Sequence, residues 1–190
     1  MNIDAILCGI VVHWHDETGV EALAAAWPDD ARFELLIVDN GSQTDLRCHP
    51  HRVIRPGRNL GFGGAVNSAL DQTRAAIVLI LNSDARPEPG ALVTLLEGFD
   101  KHEEAAGLAP RLVGPDGVSQ HSWQLRPLPS TWQLLLQALM LPVWSGPSVE
   151  PAAGSAGEQP AAAALARRRQ KLRDAGAFVE RVFPAGCEDV

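Results

Sequence analysis

The sequence predicts an α/β fold in which helices flank a mostly parallel sheet. Three short runs are apolar throughout, which is typical of parallel strands covered on both faces. They are Ile6–Val12, Leu35–Val38 and Ile77–Leu81, and a weaker candidate strand is His51–Arg55. Helical patterns lie between these runs, and strands that alternate with helices favour a parallel sheet. Ligands of such sheets bind at the carboxyl ends of the strands.

The helices are predicted from apolar residues that recur at helical spacing. One apolar face comprises Val66, Ala69, Leu70 and Thr73, and another comprises Leu92, Leu95, Leu96 and Phe99. A third helix, rich in alanine, is predicted over Glu17–Trp27.

The pattern changes after Leu112, so we predict an α/β domain over 1–112 and a second region over 113–190. In the second region Val113–Val118 indicates a turn between two short strands. The other predicted segments are an apolar helix (Thr131–Leu141), a mobile linker near 142–160, a strand of small residues (Ala161–Ala166) and a basic helix (Arg167–Ala175). The strand is predicted although alanine alone favours a helix.

The composition excludes several classes of function. The chain has 190 residues and a formal net charge of −7, which argues against a nucleic-acid-binding protein and against an anionic membrane surface as the main partner. Cys8, Cys48 and Cys187 are too few and too far apart for a disulfide framework or a zinc site, so a cytoplasmic setting is expected. We identify no signal peptide, and the longest later apolar stretch, Trp132–Trp144, is shorter than the ~20 residues that span a bilayer.

A first polar motif, Asp39-Asn40-Gly41-Ser42, follows the second strand directly. A carboxylate at this point can accept a hydrogen bond from a base N–H or a ribose hydroxyl. The same four residue types also form ordinary turns, so the motif alone leaves both interpretations open.

A second motif is the glycine-rich loop over 59–67, which contains Asn59, Gly61, Gly63 and Asn67 and opens a helix. Glycines allow a ligand to approach the backbone, and a helix N-terminus favours a phosphate. The loop has neither the spacing of a dinucleotide fingerprint nor the lysine of a P-loop. A helix start with a flexible cap is the alternative.

A third motif, Asn82-Ser83-Asp84, ends an apolar strand, which places Asp84 at the ligand edge of the sheet. A carboxylate there can hold Mg²⁺ or Mn²⁺ against a diphosphate. The alternative, that Asp84 caps the next helix, is disfavoured because that helix begins near Gly90.

Other polar residues carry weaker signals. Glu188-Asp189 alone is most often solvated charge, and metal binding by His13 and His15 alone is improbable. Residues that could line the site are His13, His15, Trp123 and Arg126.

The order of these motifs resembles family 2 glycosyltransferases, and above all the bacterial rhamnosyltransferase-like subgroup. The resemblance rests on Val11–His15, Asp39–Ser42, Asn59–Gly64 with Asn67, Asn82–Asp84 with Pro87 and Gly90, Ala109–Leu112 with Asp116-Gly117, Glu158–Ala163 and Phe183–Val190. It covers nearly the whole chain. Two departures are Ala177, where the family has glycine, and a chain end directly after Asp189-Val190, which suggests truncation at the C-terminus.

The resemblance implies a Rossmann-like glycosyltransferase fold of the A type. The domain over 1–112 would bind the nucleotide sugar, and 113–190 would be the start of the acceptor-side region. Asp39, with Asn40 beside it, would contact the base or ribose, and Asn59, Gly61, Gly63 and Asn67 would lie along the nucleotide and diphosphate. Asn82-Ser83-Asp84 would be a degenerate D-x-D motif whose Asp84 binds the metal. The Glu188-Asp189 pair would supply the general base, Asp189.

The expected reaction is transfer of a sugar, with inversion, from a UDP, GDP or dTDP sugar to a lipid-linked or polysaccharide acceptor in bacterial cell-wall or polysaccharide biosynthesis. Peripheral association with the inner membrane face would fit such an acceptor. One alternative is a truncated, catalytically weak nucleotide-sugar-binding module. Another is a nicotinamide-dependent oxidoreductase, which the lack of a glycine turn after the first strand disfavours.

Overall fold

The structure is a computed structural model that describes residues 5–42, 45–120, 125–126, 132, 159–160 and 163–178. The chain forms two compact units. The first takes the residues up to Pro110 together with those from Ala162 onward, and the second takes Arg111–Ala161.

The first unit contains six strands: β1 (Leu7–His13), β2 (Phe33–Asp39), β3 (Arg52–Ile54), β4 (Ile77–Leu81), β5 (Gly107–Leu108) and β8 (Ala164–Arg168). They form one sheet in the order β3-β2-β1-β4-β8-β5. Strands β1 to β4 run parallel, and β1 lies between β2 and β4 with His13 opposite Asp39. The mostly parallel sheet predicted from the apolar runs is confirmed.

Helices connect the parallel strands. Their bounds are α1 (Glu17–Ala26), α2 (Gly61–Leu70), α3 (Ala91–Lys101) and α4 (Arg169–Asp174). Cys8 and Ile10 of β1 pack in one core cluster with Val66 and other residues of α2. A Cβ at Gly9, between them, would meet Trp27, which follows α1. Because side chains alternate along a strand, α1 and α2 cover opposite faces of the sheet.

Strand β8 enters the sheet antiparallel, between β4 and β5. The strand predicted over Ala161–Ala166 is therefore confirmed, although it runs from Ala164 to Arg168. Its small residues are buried, and Ala163 accepts a backbone hydrogen bond from Asn82 at 3.1 Å. The predicted division at residue 112 does not follow the compact units, because β8 and α4 rejoin the first one.

Basic side chains from β8 and α4 bond to carbonyls of the two preceding helices. Arg168 donates to the Phe99 carbonyl of α3 at 2.9 Å, and Arg173 donates to the Leu70 carbonyl of α2 at 3.0 Å. Cations placed at helix C-termini complement the negative end of the helix dipole. Arg168 thus ties β8 to the end of α3, and Arg173 ties α4 to the end of α2. Helix α4 begins two residues later than the predicted basic helix, because Arg167 and Arg168 belong to β8.

The second unit contains a short antiparallel pair, β6 (Leu125–Arg126) and β7 (Gln159–Pro160). The turn predicted over Val113–Val118 is present, closed by an isolated bridge between Val113 and Ser119 rather than by two strands. Gln159–Pro160 belong to a strand and not to the predicted linker. The rest of that linker, and the predicted helix over 131–141 apart from Trp132, lie outside the described residues.

Candidate donor-binding site

The predicted donor contacts gather at one edge of the sheet. Parallel strands β1, β2 and β4 are neighbours, so their carboxyl ends meet there. Asp39 ends β2, and Asn82-Ser83-Asp84 follows β4 directly. Motifs that lie more than forty residues apart in the sequence therefore flank the end of β1.

Asp39 is both a turn former and a candidate ligand contact. It is only 2% exposed, and its Oδ1 accepts hydrogen bonds from the Ser42 backbone N–H, at 3.0 Å, and from the Ser42 hydroxyl. Its Oδ2 lies 3.6 Å from Nε of Arg55. The two interpretations left open by the sequence are therefore compatible, because Oδ1 holds the turn while Oδ2 faces a cation.

The Asn40 side chain links the first motif to the glycine-rich loop by hydrogen bonds. Its buried side chain accepts the Leu60 N–H at 2.8 Å and donates to the Asn59 Oδ1 at 3.0 Å. Gly41 has φ of +100°, and a Cβ there would lie 2.9 Å from the Asn59 nitrogen. The backbones of the two loops are in contact at Gly41, so both the close approach and the positive φ require a residue without a side chain.

Asn40→Ala should destabilise the first unit by about 2–3 kcal/mol, because the Leu60 N–H would lose its buried partner. Urea denaturation followed by circular dichroism measures this loss. Asn59→Ala is the matched control and should cost less than half as much, since Asn59 is exposed and water can replace its oxygen. Equal losses would contradict the assigned role of Asn40.

Helix α2 begins within the glycine-rich loop, as predicted. Gly61 is its first residue, has φ of +70° and donates its N–H to Asn59 Oδ1 at 2.8 Å. The N-cap residue, Leu60, makes no side-chain capping bond. Asn59 thus satisfies one N–H at this helix start.

Asn67 contacts the chain that follows α4. Its Nδ2 donates to the Phe178 carbonyl at 2.9 Å, and its Oδ1 accepts the Phe178 N–H at 3.1 Å. Phe62 packs edge-on against the Phe178 ring, and a Cβ on Gly63 would lie 3.0 Å from the Phe178 Cβ. The structure therefore places these residues of the loop against Phe178, and the predicted donor contacts of Gly63 and Asn67 stay predictions.

Asn82-Ser83-Asp84 forms a turn at the end of β4, closed by a 3.2 Å bond from the Ala85 N–H to the Asn82 carbonyl. The Ser83 hydroxyl donates to Asp16 Oδ2 at 2.5 Å, and Asp84 is exposed. Helix α3 is capped by Gly90, so Asp84 does not cap it.

His13, Trp14 and His15, at the end of β1, differ in burial and in backbone conformation. His13 is fully buried, neither ring nitrogen has a hydrogen-bond partner among the described residues, and Nε2 lies 3.9 Å from Glu17 Oε1. His15 adopts φ of +55°, while Trp14 is 58% exposed and meets the His15 ring edge-on. The two histidines therefore differ in environment, since His13 is buried and His15 is exposed.

The described thiols are unsuited to nucleophilic chemistry. Burial raises the pKa of Cys8 strongly and, to a smaller degree, that of Cys48. Both thiols stay protonated at neutral pH, and the thiolate is the reactive form. Cys187, Glu188, Asp189 and Trp123 lie outside the described residues.

The family model of glycosyl transferase family 2 matches residues 17–157, which is more than half of the chain. This chain belongs to glycosyl transferase family 2. The resemblance inferred from the motifs is confirmed.

Two proteins of Mycobacterium tuberculosis are similar to part of this chain. N-acetylglucosaminyl-diphospho-decaprenol L-rhamnosyltransferase of Mycobacterium tuberculosis is 27% identical over 179 aligned residues, covering 78% of this chain and 56% of that protein. An uncharacterised protein of the same organism is 31% identical over 105 residues, covering 52% of this chain and 32% of the relative. The chain thus spans about half the length, or less, of these relatives.

Solved structures share the fold of this chain. A mannosyltransferase from Pyrobaculum calidifontis, in complex with GDP-Man and Mn²⁺, has a TM-score of 0.61 at 16% identity and covers 92% of this chain and 48% of its own. S. aureus TarS in complex with UDP has a TM-score of 0.60 at 20% identity, covering 94% and 52%. The fold is therefore the A-type glycosyltransferase fold, as the resemblance implied.

The described residues contain neither a cluster of metal-binding side chains nor a membrane-spanning helix. No group of three or more His, Cys, Asp or Glu side chains is placed to hold a metal ion in the described part of the chain. Within the same residues, no helix combines the length and the apolar character that crossing a membrane requires.

Proposed function

We propose that this chain binds a nucleotide sugar and transfers its sugar, with inversion, to a lipid-linked or polysaccharide acceptor. One observation carries the proposal: Asp39 and the exposed Asp84 lie on either side of β1, at the carboxyl edge of the sheet. A nucleoside near Asp39 would extend its diphosphate toward Asp84. The family membership and the nucleotide sugars bound in similar structures support a nucleotide sugar as the donor.

The residues fit a divalent cation. Mg²⁺ and Mn²⁺ prefer oxygen ligands, and nucleotide sites typically supply one or two carboxylates while phosphates and water complete the shell. Asp84 is an exposed carboxylate in a turn next to the proposed diphosphate, so a single protein ligand suffices. When bound, the metal would offset the charge that grows on the leaving diphosphate.

The acceptor half of the reaction is proposed from the family motif. Asp189 takes the proton from an acceptor hydroxyl while that oxygen attacks the anomeric carbon and the bond to the nucleoside diphosphate breaks. Attack opposite the leaving group inverts the anomeric centre. The decaprenol acceptor in the name of the mycobacterial relative supports a lipid-linked acceptor, and with it a cytoplasmic location at the inner membrane face.

Asp39→Asn should weaken nucleoside diphosphate binding by about tenfold to a hundredfold. The amide oxygen can keep the bonds to Ser42, but the Nδ2 replaces the acceptor that we assign to the nucleoside. Calorimetric titration should show almost no change for pyrophosphate. Ser42→Ala is the control, since it loses the turn hydroxyl and keeps the carboxylate. Equal losses for both ligands in Asp39→Asn would mean that Asp39 merely shapes the turn.

A thermal-shift screen with Mn²⁺ and UDP, GDP and dTDP sugars tests the function. A ligand at about 100 times its Kd stabilises the folded state by ~2.7 kcal/mol, which raises the Tm. One nucleotide class should raise the Tm, and its diphosphate should do so more strongly with Mn²⁺ than with EDTA. Transfer from the matched sugar then separates an enzyme from a binding module. If no nucleotide raises the Tm, the proposed function is wrong.

A further inference from the structure

Asp16 uses its two carboxylate oxygens for different tasks. It is the N-cap residue of α1, and its Oδ1 accepts the Gly19 N–H at 3.1 Å. Its Oδ2 accepts the Ser83 hydroxyl at 2.5 Å, from a residue 67 positions away. An N-cap needs only one side-chain oxygen, so the second oxygen is not required for the helix.

The Ser83 bond reaches the tip of the turn that bears Asp84. The base of this turn is held by backbone, because Asn82 donates to Ala163 at 3.1 Å and Ala85 donates to Asn82 at 3.2 Å. At the tip, Ser83 is bonded to Asp16, whereas Asp84 is exposed and forms no hydrogen bond or ion pair with another described residue. The hydrogen bond to a charged acceptor therefore fixes the residue directly before the proposed metal ligand.

The glycine at position 19 leaves the space that Asp16 Oδ2 occupies. A Cβ at Gly19 would lie 2.1 Å from that oxygen, so any larger residue would displace it. Glycine within a helix costs roughly 0.5–1 kcal/mol relative to alanine. A costly residue in the first turn of α1 leaves room for the oxygen that Ser83 contacts.

We propose that Asp16 is a positioning residue: through Ser83 it holds the turn that presents Asp84 to the metal and the donor diphosphate. The inference rests on the proposed function. The Asp16–Ser83 hydrogen bond connects the loop after β1 with the loop after β4, and these two strands are neighbours in the sheet. A turn held in this way needs no reordering when the metal binds, so the bond strengthens metal-assisted donor binding.

The test separates capping from positioning with a graded series. Asp16→Ser keeps a capping hydroxyl but is too short to reach Ser83. Asp16→Asn keeps the cap and offers an amide N–H to the Ser83 oxygen. Ser83→Ala removes the bond from the other side. Ser68→Ala is the matched control, since it deletes a hydroxyl that bonds to the Ala65 carbonyl within α2.

The readout is calorimetric affinity for UDP, GDP or dTDP, whichever binds the wild-type chain, measured with Mn²⁺ and with EDTA. Asp16→Ser and Ser83→Ala should each lose about three- to thirtyfold of the Mn²⁺-assisted affinity, the range expected for one ordering hydrogen bond. The loss should be smaller in EDTA than with Mn²⁺, because the bond acts mainly through the metal ligand Asp84. The double variant should lose no more than either single one. Asp16→Asn should recover part of the loss, and Ser68→Ala should equal the wild type.

The outcomes distinguish this inference from the proposed function. If wild-type binding is independent of Mn²⁺, the metal part of the proposed function fails and the inference falls with it. If the wild type responds to Mn²⁺ and Ser83→Ala retains the full response, the inference alone is overturned. The same holds if the two single losses add in the double variant. Thermal unfolding identifies any loss of the cap in Asp16→Ser, and Ser83→Ala, which leaves the cap intact, then decides.

Discussion

Asp84→Ala should abolish the Mn²⁺-dependent part of nucleoside diphosphate binding and leave the fold intact. The proposed site has Asp84 as its protein carboxylate, so no other described group would take over the metal. The stability should change by less than about 0.5 kcal/mol, because Asp84 is exposed and does not cap α3. Calorimetric titration of UDP, GDP or dTDP with Mn²⁺ and with EDTA measures the loss.

Glu88→Ala provides the matched control for this variant. Glu88 is another exposed carboxylate in the same loop between β4 and α3, so its removal changes the local charge equally. Its Mn²⁺ response should match the wild type. A full Mn²⁺ response in Asp84→Ala would refute the metal assignment, and an equal loss in both variants would indicate a general effect of charge.

Asp189→Asn should slow sugar transfer by about 10²- to 10⁴-fold, the usual contribution of a general base. Donor affinity should stay near the wild-type value, because the predicted role of Asp189 concerns the acceptor hydroxyl. A single-turnover assay with the donor found in the screen and a matched acceptor measures the rate.

Glu188→Gln is the control for the neighbouring charge and should slow transfer much less. If Asp189→Asn transfers as fast as the wild type, another group takes the proton. If both variants lose donor affinity to the same degree, the pair supports the donor site instead.

The sheet was largely predictable because its inner strands are continuous apolar runs. Ile77–Leu81 is correct to the residue, whereas β1 and β2 extend to His13 and Asp39. Polar residues at the end of a strand look like the start of a turn, and only pairing shows that they belong to the ladder. The antiparallel position of β8 was not predictable, because its partners in β4 lie more than eighty residues away.

The location of the candidate site followed from the sequence, but the contacts within it did not. Asn and Ser residues can bind a ligand or the protein's own backbone, and composition does not distinguish the two. In the structure Asn40 and Asn67 bond to neighbouring backbone, and Ser83 bonds to Asp16. Asp16 was missed altogether, since an Asp before a helix suggests a cap and nothing in the sequence marks its second partner.

The insertion of β8 has a consequence for how the protein is made. Until Ala164–Arg168 leave the ribosome, β4 can pair only with β1. Its other edge then exposes unpaired N–H and C=O groups, and its five apolar residues, which are buried in the folded protein, lie beside them. Such an edge is a template for pairing with other chains. The nascent polypeptide must therefore keep β4 from aggregating while about eighty more residues are synthesised, and late sheet closure makes its folding slow. Any fragment that ends before β8 inherits this exposed edge permanently.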